Sequence, residues 1–287
     1  MTRCHLWISL WVGGCLSPPL DRSYEVDDLR ILGIRGHPAE AMPQEPVAYE
    51  ALVASPEGAV DADIGWSYCV RARSVEERTA VTASCLEGDD LVDIDAETTV
   101  LSDACARFGP NPPPADGDAP ALRPADPDPT GGYFLPVRAE VNGVDAFGAQ
   151  RIRCDLAGAT REVFEAFQMD YEANRHPEIV AFTPDRSVSV DEVVDLVVQV
   201  SPDSEEAYVV YVPEASTLQE ATEELTASWY MTSGTLSRGS EILGGGAATT
   251  RWTAPKAPGP VYGWVVVRDS RGGMAWEGFT VEVEPSG

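Results

Sequence analysis

The sequence predicts an all-β fold of two tandem antiparallel β-sandwiches joined by a short helical connector. The chain has 287 residues, which is enough for two domains of ordinary size. Hydrophobic residues make up 44% of it, so each domain can bury a core. The two halves also carry the same succession of strand-like segments, which is the main reason for predicting two similar domains.

The repeat is clearest in two alternating segments. Residues 47–58 (VAYEALVASPEG) and 193–204 (VVDLVVQVSPDS) alternate apolar and polar residues and then turn at Ser-Pro-acid. Alternation that ends in a proline turn is typical of a strand leading into a loop. A short strand-like run precedes each segment, and an isolated tryptophan, Trp66 or Trp229, follows it.

Each half closes with a predicted hairpin, at residues 131–154 and 259–284. The sequences Asn142-Gly143 and Arg271-Gly272-Gly273 stand where tight turns need positive φ. Strands in this order, with a tryptophan on a central strand, predict an immunoglobulin-like sandwich in each half. The likeness is to the broad sandwich class, because the cysteines do not reproduce the bridge of antibody domains.

Between the halves, residues 159–176 predict a helical connector in which Thr160 caps the helix. The apolar side chains that would share one face are Val163, Phe164, Phe167 and Tyr171. We therefore expect one domain at residues 29–158 and the second at 177–287. Residues 204–225 form an insertion in the second domain, for which the sequence predicts a short strand at 208–212 and then an acidic stretch compatible with a helix.

The first fourteen residues predict a signal peptide, because the apolar run at residues 6–12 is too short to span a bilayer. The sequence Val-Gly-Gly-Cys ending at Cys15 resembles the bacterial lipoprotein signal, which implies cleavage before Cys15 and acylation of that residue. Residues 15–28 then form a short polar tether, and Leu16 favours the outer membrane. The alternatives are a plain cleaved signal or a misplaced start codon.

Of the six cysteines, four remain after removal of the signal and lipidation. They are Cys69, Cys85, Cys105 and Cys154. An even number of cysteines in an exported domain predicts two disulfides, with three possible connectivities. We prefer Cys69 with Cys85 and Cys105 with Cys154, since each pair closes a segment that otherwise lacks an obvious core.

A formal net charge of −27 excludes nucleic acid as a partner, because such a surface repels phosphate backbones. It also disfavours anionic lipid headgroups, so the expected membrane contact is the N-terminal lipid alone. The expected partner is an envelope protein or a glycan.

The sequence offers no recognisable catalytic motif. The mature chain has two histidines, His37 and His176, each before a proline and predicted in surface turns. The chain contains no G-x-S-x-G and no H-E-x-x-H motif. We therefore expect no enzymatic activity and no cofactor, and keep a hydrolase with an unrecognised acidic site as the alternative.

One candidate binding surface lies on the strand YGWVVVRD. If Val265 and Val267 face the core, then Tyr262, Trp264 and Arg268 form an aromatic and arginine stripe on the other face, of the kind that binds glycans or proteins. The alternative is that this face packs in the core or against the first domain.

A weak calcium candidate lies in the proline- and aspartate-rich loop at residues 108–132. Asp126 and Asp128 resemble the start of a calcium loop, but Val137 stands where the acidic twelfth ligand belongs. A solvated acidic linker is the stronger interpretation, and no metal site is predicted.

Several motifs together resemble a family of uncharacterised lipoproteins from myxobacteria and related delta-group bacteria. They are WSYC, ACARFGPNPPP, DPDPTGGYFLPVR, RIRCDLAGAT and TRWTAPKAPGPVYGWVVVRDSRGGMAW. The resemblance implies a location in the cell envelope, and it implies no catalytic activity. The sequence thus predicts a lipid-anchored cell-envelope protein with a non-catalytic binding or structural role, such as adhesion or a part in an envelope assembly.

Overall fold

The computed structural model describes residues 23–73, 77, 79–111, 128–183 and 187–286. The predicted signal peptide and Cys15 lie outside these residues. Within them, strands predominate and the α-helices are short. No helix in the described ranges is both long and apolar enough to cross a membrane.

The first half forms one sandwich. Its elements are β1 (Arg30–His37), β2 (Glu40–Ala41), β3 (Pro46–Ser55), β4 (Gly58–Ala59), β5 (Gly65–Cys69), α1 (Ala83–Glu87), β6 (Leu91–Ile94), β7 (Glu97–Thr99), α2 (Ala104–Phe108), β8 (Gly132–Val141) and β9 (Val144–Arg153). One sheet has the order β1-β3-β4, with β7 also on β3, and the other has the order β2-β9-β8-β5-β6. Tyr49 from β3 and Leu135 from β8 meet in the core between them.

The second half repeats this plan after the helix α3 (Arg161–Asp170). Its elements are β10 (Ile179–Thr183), β11 (Val188–Ser189), β12 (Val193–Val200), a 3₁₀ turn (Pro202–Ser204), β13 (Ala207–Val212), β14 (Thr217–Thr222), β15 (Leu225–Met231), β16 (Thr235–Leu236), β17 (Ser240–Ile242), β18 (Ala247–Thr253), β19 (Gly259–Asp269) and β20 (Met274–Glu284). The sheets have the orders β10-β12-β18-β16 and β11-β20-β19-β15-β17. Trp229 and Trp252, one from each sheet, lie in the core between them.

The predicted fold class, two tandem immunoglobulin-like sandwiches with a helical connector, is confirmed. The two alternating segments are β3 and β12, and the tryptophans that follow them are buried in β5 and β15. The first closing hairpin turns at Asn142 (φ 51°) and Gly143 (φ 81°), as a two-residue turn between twisted strands requires.

The two sandwiches pack against each other through the outer faces of one sheet each. Leu32 from β1 and Leu52 from β3 form one buried cluster with Trp264 and Val266 from β19. Val265, on the opposite face of β19, belongs to the core of the second sandwich. The strand β19 is therefore apolar on both faces because both faces are covered.

The second sandwich also covers the free edge of β1. An Nη2–H of Arg268 donates to the carbonyl oxygen of Leu32 at 2.8 Å, and Nε2 of His176 lies 2.9 Å from the carbonyl oxygen of Gly36. Unpaired carbonyls on an edge strand are a template for aggregation, so this packing protects the edge.

The end of the predicted tether also belongs to this packing. Val26 is fully buried and donates its backbone N–H to the carbonyl of Met231 at 2.9 Å. Residues 24–26 therefore run along the end of β15 and are packed against the second sandwich.

The connector contains the predicted helix, and the Thr160 side chain accepts a hydrogen bond from the backbone N–H of Val163. Phe167 on its apolar face packs with Leu156 and Tyr211. The insertion differs from the expectation, because its acidic stretch is the strand β14 rather than a helix. The β-branched and alternating sequence TLQEAT pairs with β13 along its whole length, which satisfies the backbone of both strands.

Candidate functional site

A groove of about 780 Å³ lies on the first sandwich beside the turn between β19 and β20. We call it the interdomain groove. It is lined by parts of β1, β8 and β9, by two short segments around Arg71 and Val81, and by the turn after β19. Pockets of this size suit a small-molecule ligand.

The floor of the groove is apolar. Along β8, Tyr133 and Leu135 point into the core, so Phe134 and Pro136 point to the other face, where they line the groove. Phe147 from the neighbouring strand β9 extends this floor.

A disulfide holds one wall of the groove in place. Cys69 at the end of β5 is bonded to Cys85 in α1. This bond holds α1 against the outer face of the sheet, where Val81 packs with both cysteines and with Phe147. Arg71 and Arg73, which line the groove, lie between the two cysteines in the chain.

The opposite wall is the turn between β19 and β20 of the second sandwich. Gly272 has φ of 106°, a conformation that glycine adopts without strain. A Cβ atom on Gly272 would lie 2.9 Å from Cε1 of Phe134, so the turn sits directly against the floor. Arg268 reaches the groove from this wall.

The positive charges that line the groove are arginines. Arg71 exposes 64% of its side chain and lies 3.5 Å from Asp90. Arg73 is exposed and donates through Nη1 to the carbonyl oxygen of Thr79 at 2.9 Å. With Arg268 on the opposite wall, these side chains form what we call the arginine rim. It stands out on a chain with a net charge of −27.

Two aspartates also line the groove, and both are engaged by neighbouring groups. Asp128 accepts hydrogen bonds from the backbone N–H and hydroxyl of Thr130. Asp269 is buried and accepts from the backbone N–H groups of Arg271 and Gly273, both at 2.8 Å. Burial raises the pKa of Asp269.

Behind the turn lies a buried ion-pair cluster centred on Arg271, which is 1% exposed. Its Nε donates to Glu223 at 2.5 Å and its Nη2 to Glu206 at 2.7 Å. Glu206 precedes β13 and Glu223 follows β14, so Arg271 binds the two chain segments that meet at the open end of this hairpin. Burial, followed by the charge of Asp269, raises the pKa of Glu223 to about 7.

A second buried ion pair lies in the first sandwich, where the connector contacts it. Nε of Arg151 donates to Glu40 at 2.9 Å, and both side chains are 2% exposed. The Tyr171 hydroxyl donates to the same carboxylate at 2.5 Å, and burial raises the pKa of Tyr171. Neither Glu40 nor Arg151 is among the groove-lining residues, so this pair is structural.

His176 differs from the sequence expectation, because it is not in a surface turn. It is partly buried between the sandwiches, and its ring contacts that of His37 edge to face with centroids 4.7 Å apart. Burial lowers the pKa of His176 to about 4. The motif His-Pro was interpreted as a turn signal, but the ring is a link between the domains.

The predicted aromatic stripe is present but covered. Tyr262, Trp264 and Arg268 do lie on the face of β19 opposite Val265 and Val267. However, Trp264 is 2% exposed, because this face packs against the first sandwich. It is therefore not a free binding surface, and the alternative of packing against the first domain is correct. Arg268 alone of the three lines the groove.

The four predicted cysteines form both disulfides, Cys69–Cys85 and Cys105–Cys154, in the preferred pairing. Of the calcium candidates, Asp126 lies outside the described residues, and Asp128 is bonded to Thr130. Among the described residues, no group of three or more acidic, histidine or cysteine side chains is arranged to hold a metal ion.

Sequence reasoning did not find Arg71, Arg73 or the Arg271 cluster. Isolated arginines in loops carry no periodic signal. The one available signal was that Glu206 and Glu223 bracket an apolar run in the insertion, as the two ends of a hairpin do.

The sequence matches no protein-family model and no curated protein sequence. Similar solved structures include a nucleoside hydrolase-related hypothetical protein from Saccharophagus degradans (16% identity, 39% of this chain, 26% of that chain, TM-score 0.26). The D00-D0 domain of intimin has 15% identity over 90% of this chain and 98% of that chain, with a TM-score of 0.26. The fibronectin(III)-like modules of Clostridium thermocellum CbhA have 10% identity, cover 90% and 94%, and have a TM-score of 0.25. At these scores the likenesses carry no argument about function, and the fold assignment rests on the strand pairing described above.

Proposed function

We propose that the protein is a lipid-anchored component of the cell envelope that binds a ligand in the interdomain groove without catalysing a reaction. The two disulfides support a location in an oxidising compartment outside the cytoplasm. We further propose that lipid on Cys15 anchors the protein in the outer membrane.

The observation that carries the binding role is the construction of the groove. One wall is held by the Cys69–Cys85 disulfide, and the other is a turn backed by the buried Arg271 cluster. A preformed, mostly apolar cavity costs little ordering on binding. The carboxylates that line it are engaged in their own turns, which supports binding over acid–base chemistry.

The test is to fill the groove. Ala149 on β9 is exposed and lines the groove, so Ala149→Trp adds bulk there without overpacking the core. Ala181→Trp, at an exposed position of β10 in the other sandwich, is the matched control. We expect a ligand identified by native mass spectrometry to be lost in Ala149→Trp alone, and retention in that variant would contradict the groove as the site.

The anchor is tested separately by mass spectrometry of the mature N-terminal peptide from a native-like host. A diacyl- or triacyl-cysteine at Cys15 is expected. An unmodified terminus elsewhere would overturn the anchor and leave the binding role to be judged by the groove variants.

The second candidate is a hydrolase with an acidic site, and Asp269 favours it. Asp269 lines the groove and has a raised pKa, as a general acid requires. If Asp269→Asn abolished turnover of a substrate while leaving the folded fraction unchanged by circular dichroism, the hydrolase would replace the binding role.

A further inference from the structure

We infer that the interdomain groove takes an amphiphile with an apolar body and a single anionic head group. This inference rests on the proposed binding role of the groove and names its ligand class. It follows from the apolar floor, the arginine rim and the way in which the two neighbouring strand edges are closed.

The floor selects the apolar body. Phe134, Pro136 and Phe147 present rings to the groove, and Val81 adds an aliphatic side chain from the disulfide-held wall. Apolar surface removed from water here supplies the driving force for binding. A ligand that is polar along its length would lose hydration on this floor without gaining partners.

The rim selects the charge of the head group. Arg71 and Arg73 stand on one wall and Arg268 on the other, so an anion between them meets guanidinium groups from two sides. A guanidinium is suited to carboxylate and phosphate oxygens, because it offers N–H donors in a planar fork. Elsewhere the strongly acidic surface repels an anion, so the rim is also where such a ligand is steered.

The strand edges argue against an extended peptide. A peptide that adds to a sheet needs an open edge with room for another strand. Beside the groove the two sheets pack closely, since a Cβ atom on Gly148 of β9 would be 2.7 Å from Cβ of Ile34 of β1, which leaves no room for another strand between β1 and β9. The carbonyls of Leu32 and Gly36 on β1 already meet Arg268 and His176. The ligand is therefore a small amphiphile.

The experiment compares five probes by isothermal titration calorimetry: decanoate, decyl phosphate and decylamine below their micelle concentrations, decanol below its solubility limit, and acetate. We expect decanoate to bind best, decanol more weakly, and decylamine and acetate least. Decanoate supplies both body and charge, decanol and acetate each lack one of them, and decylamine reverses the charge. Decyl phosphate binding as well as decanoate would assign the site to anionic heads in general, as proposed.

Two sets of variants locate the site. The double variant Arg71→Glu/Arg73→Glu reverses the exposed part of the rim and should weaken decanoate about tenfold or more, with little effect on decanol. Arg251→Glu, on an exposed arginine of β18, is the control for general charge. Ala149→Trp should weaken both probes, and Ala181→Trp neither.

The outcomes separate this inference from the proposed function. If Ala149→Trp blocks a ligand but rim reversal has no effect, or decylamine binds as well as decanoate, the anionic ligand is overturned and the groove remains a binding site. If Ala149→Trp changes the binding of no probe, both this inference and the assignment of the groove are overturned.

Discussion

Nδ1 of His176 accepts a hydrogen bond from the backbone N–H of Met274 at 3.0 Å. An imidazole nitrogen that accepts carries no proton, so the ring is neutral and its proton is on Nε2. Nε2 in turn lies 2.9 Å from the carbonyl oxygen of Gly36. One ring thus bonds β20 of the second sandwich and β1 of the first, and it can do so only without a positive charge.

The first prediction is that acid weakens the junction through His176. Its pKa is about 4 in the folded protein, chiefly because of burial, and ordinarily about 6.5. Between these values the unfolded chain binds a proton that the folded chain does not, so stability falls as pH falls from 6.5 towards 4. We expect a loss of roughly 1–2 kcal/mol, after allowing for partial exposure.

The measurement is urea unfolding at pH 7.5 and 5.0. His176→Asn removes the titrating group and should lose less stability between the two pH values than the parent protein. His37→Asn, at the more exposed neighbouring histidine, is the control. It should keep most of the parent's pH dependence, because burial, the main cause of the lowered pKa of His176, is unchanged. Equal pH dependence in the parent and in His176→Asn would contradict the role of His176.

The second prediction concerns Arg271. Arg271→Met leaves the buried Glu223 without a cation and leaves Glu206 with Arg175 alone, which should cost about 3–5 kcal/mol of unfolding free energy. Adding Glu206→Gln and Glu223→Gln to the same chain should recover part of the loss, because the uncompensated charges are gone. Arg251→Met, at a side chain that is 67% exposed, should change stability by less than about 0.5 kcal/mol.

In these measurements guanidinium chloride unfolds the protein, and tryptophan fluorescence monitors the unfolding. If Arg271→Met and the triple variant were equally unstable, the loss would come from packing rather than from buried charge.

The repeated strands could be predicted from the sequence because alternation is a local signal. The strands β3 and β12 both lead into Ser-Pro, and β12 buries every second residue. In β3 the alternation gives way to three consecutive buried residues, Leu52, Val53 and Ala54. The turn at Asn142-Gly143 was equally predictable, because a two-residue turn needs positive φ and Asn-Gly is a pair of residues that adopts it. The preferred disulfide pairing could be chosen because each pair closes a segment that otherwise lacks an obvious core.

The packing of one sandwich on the other could not be predicted, because it depends on contacts distant in sequence. The strand β19 carries apolar residues on both faces, which fits either an exposed stripe or a covered one. Which face is covered depends on Leu32 and Leu52, more than 200 residues away in the chain. The groove was hidden for the same reason, since its floor and walls come from widely separated parts of the sequence.

The third prediction concerns Glu223, whose pKa is raised to about 7 from an ordinary value near 4.5. The folded chain holds this proton at a pH where the unfolded chain has released it, so this contribution to stability is lost as pH rises from 4.5 through about 7. Glu223→Gln keeps an acceptor for Arg271 and removes the titration. Relative to the parent, the variant should gain on the order of 1–3 kcal/mol between pH 5 and pH 8.

Urea midpoints at pH 5, 6.5 and 8 check this expectation. Glu165→Gln, at an exposed glutamate paired with Arg161, is the control and should track the parent at every pH. A constant offset between Glu223→Gln and the parent would mean that Glu223 is ionised throughout this range.

The fourth prediction tests how tightly β1 is seated. A Cβ atom on Gly36 would lie 2.7 Å from Cγ1 of Val47 and 2.8 Å from Cε1 of Tyr49, both in the neighbouring strand. Gly36→Ala must therefore displace β1, at a cost of about 1–3 kcal/mol. Gly65→Ala is the matched control in β5, because its nearest neighbour would be 3.8 Å away.

The same displacement should weaken the bond from His176 to the Gly36 carbonyl, which links strand packing to the junction. In a double-mutant cycle, Gly36→Ala and His176→Asn should therefore cost less together than the sum of their separate costs, since each disrupts the same contact. Gly65→Ala with His176→Asn should be additive. If the Gly36 cycle is also additive, β1 yields to the added methyl group without moving its carbonyl, and the edge of β1 is held to the second sandwich by Arg268 at Leu32 instead.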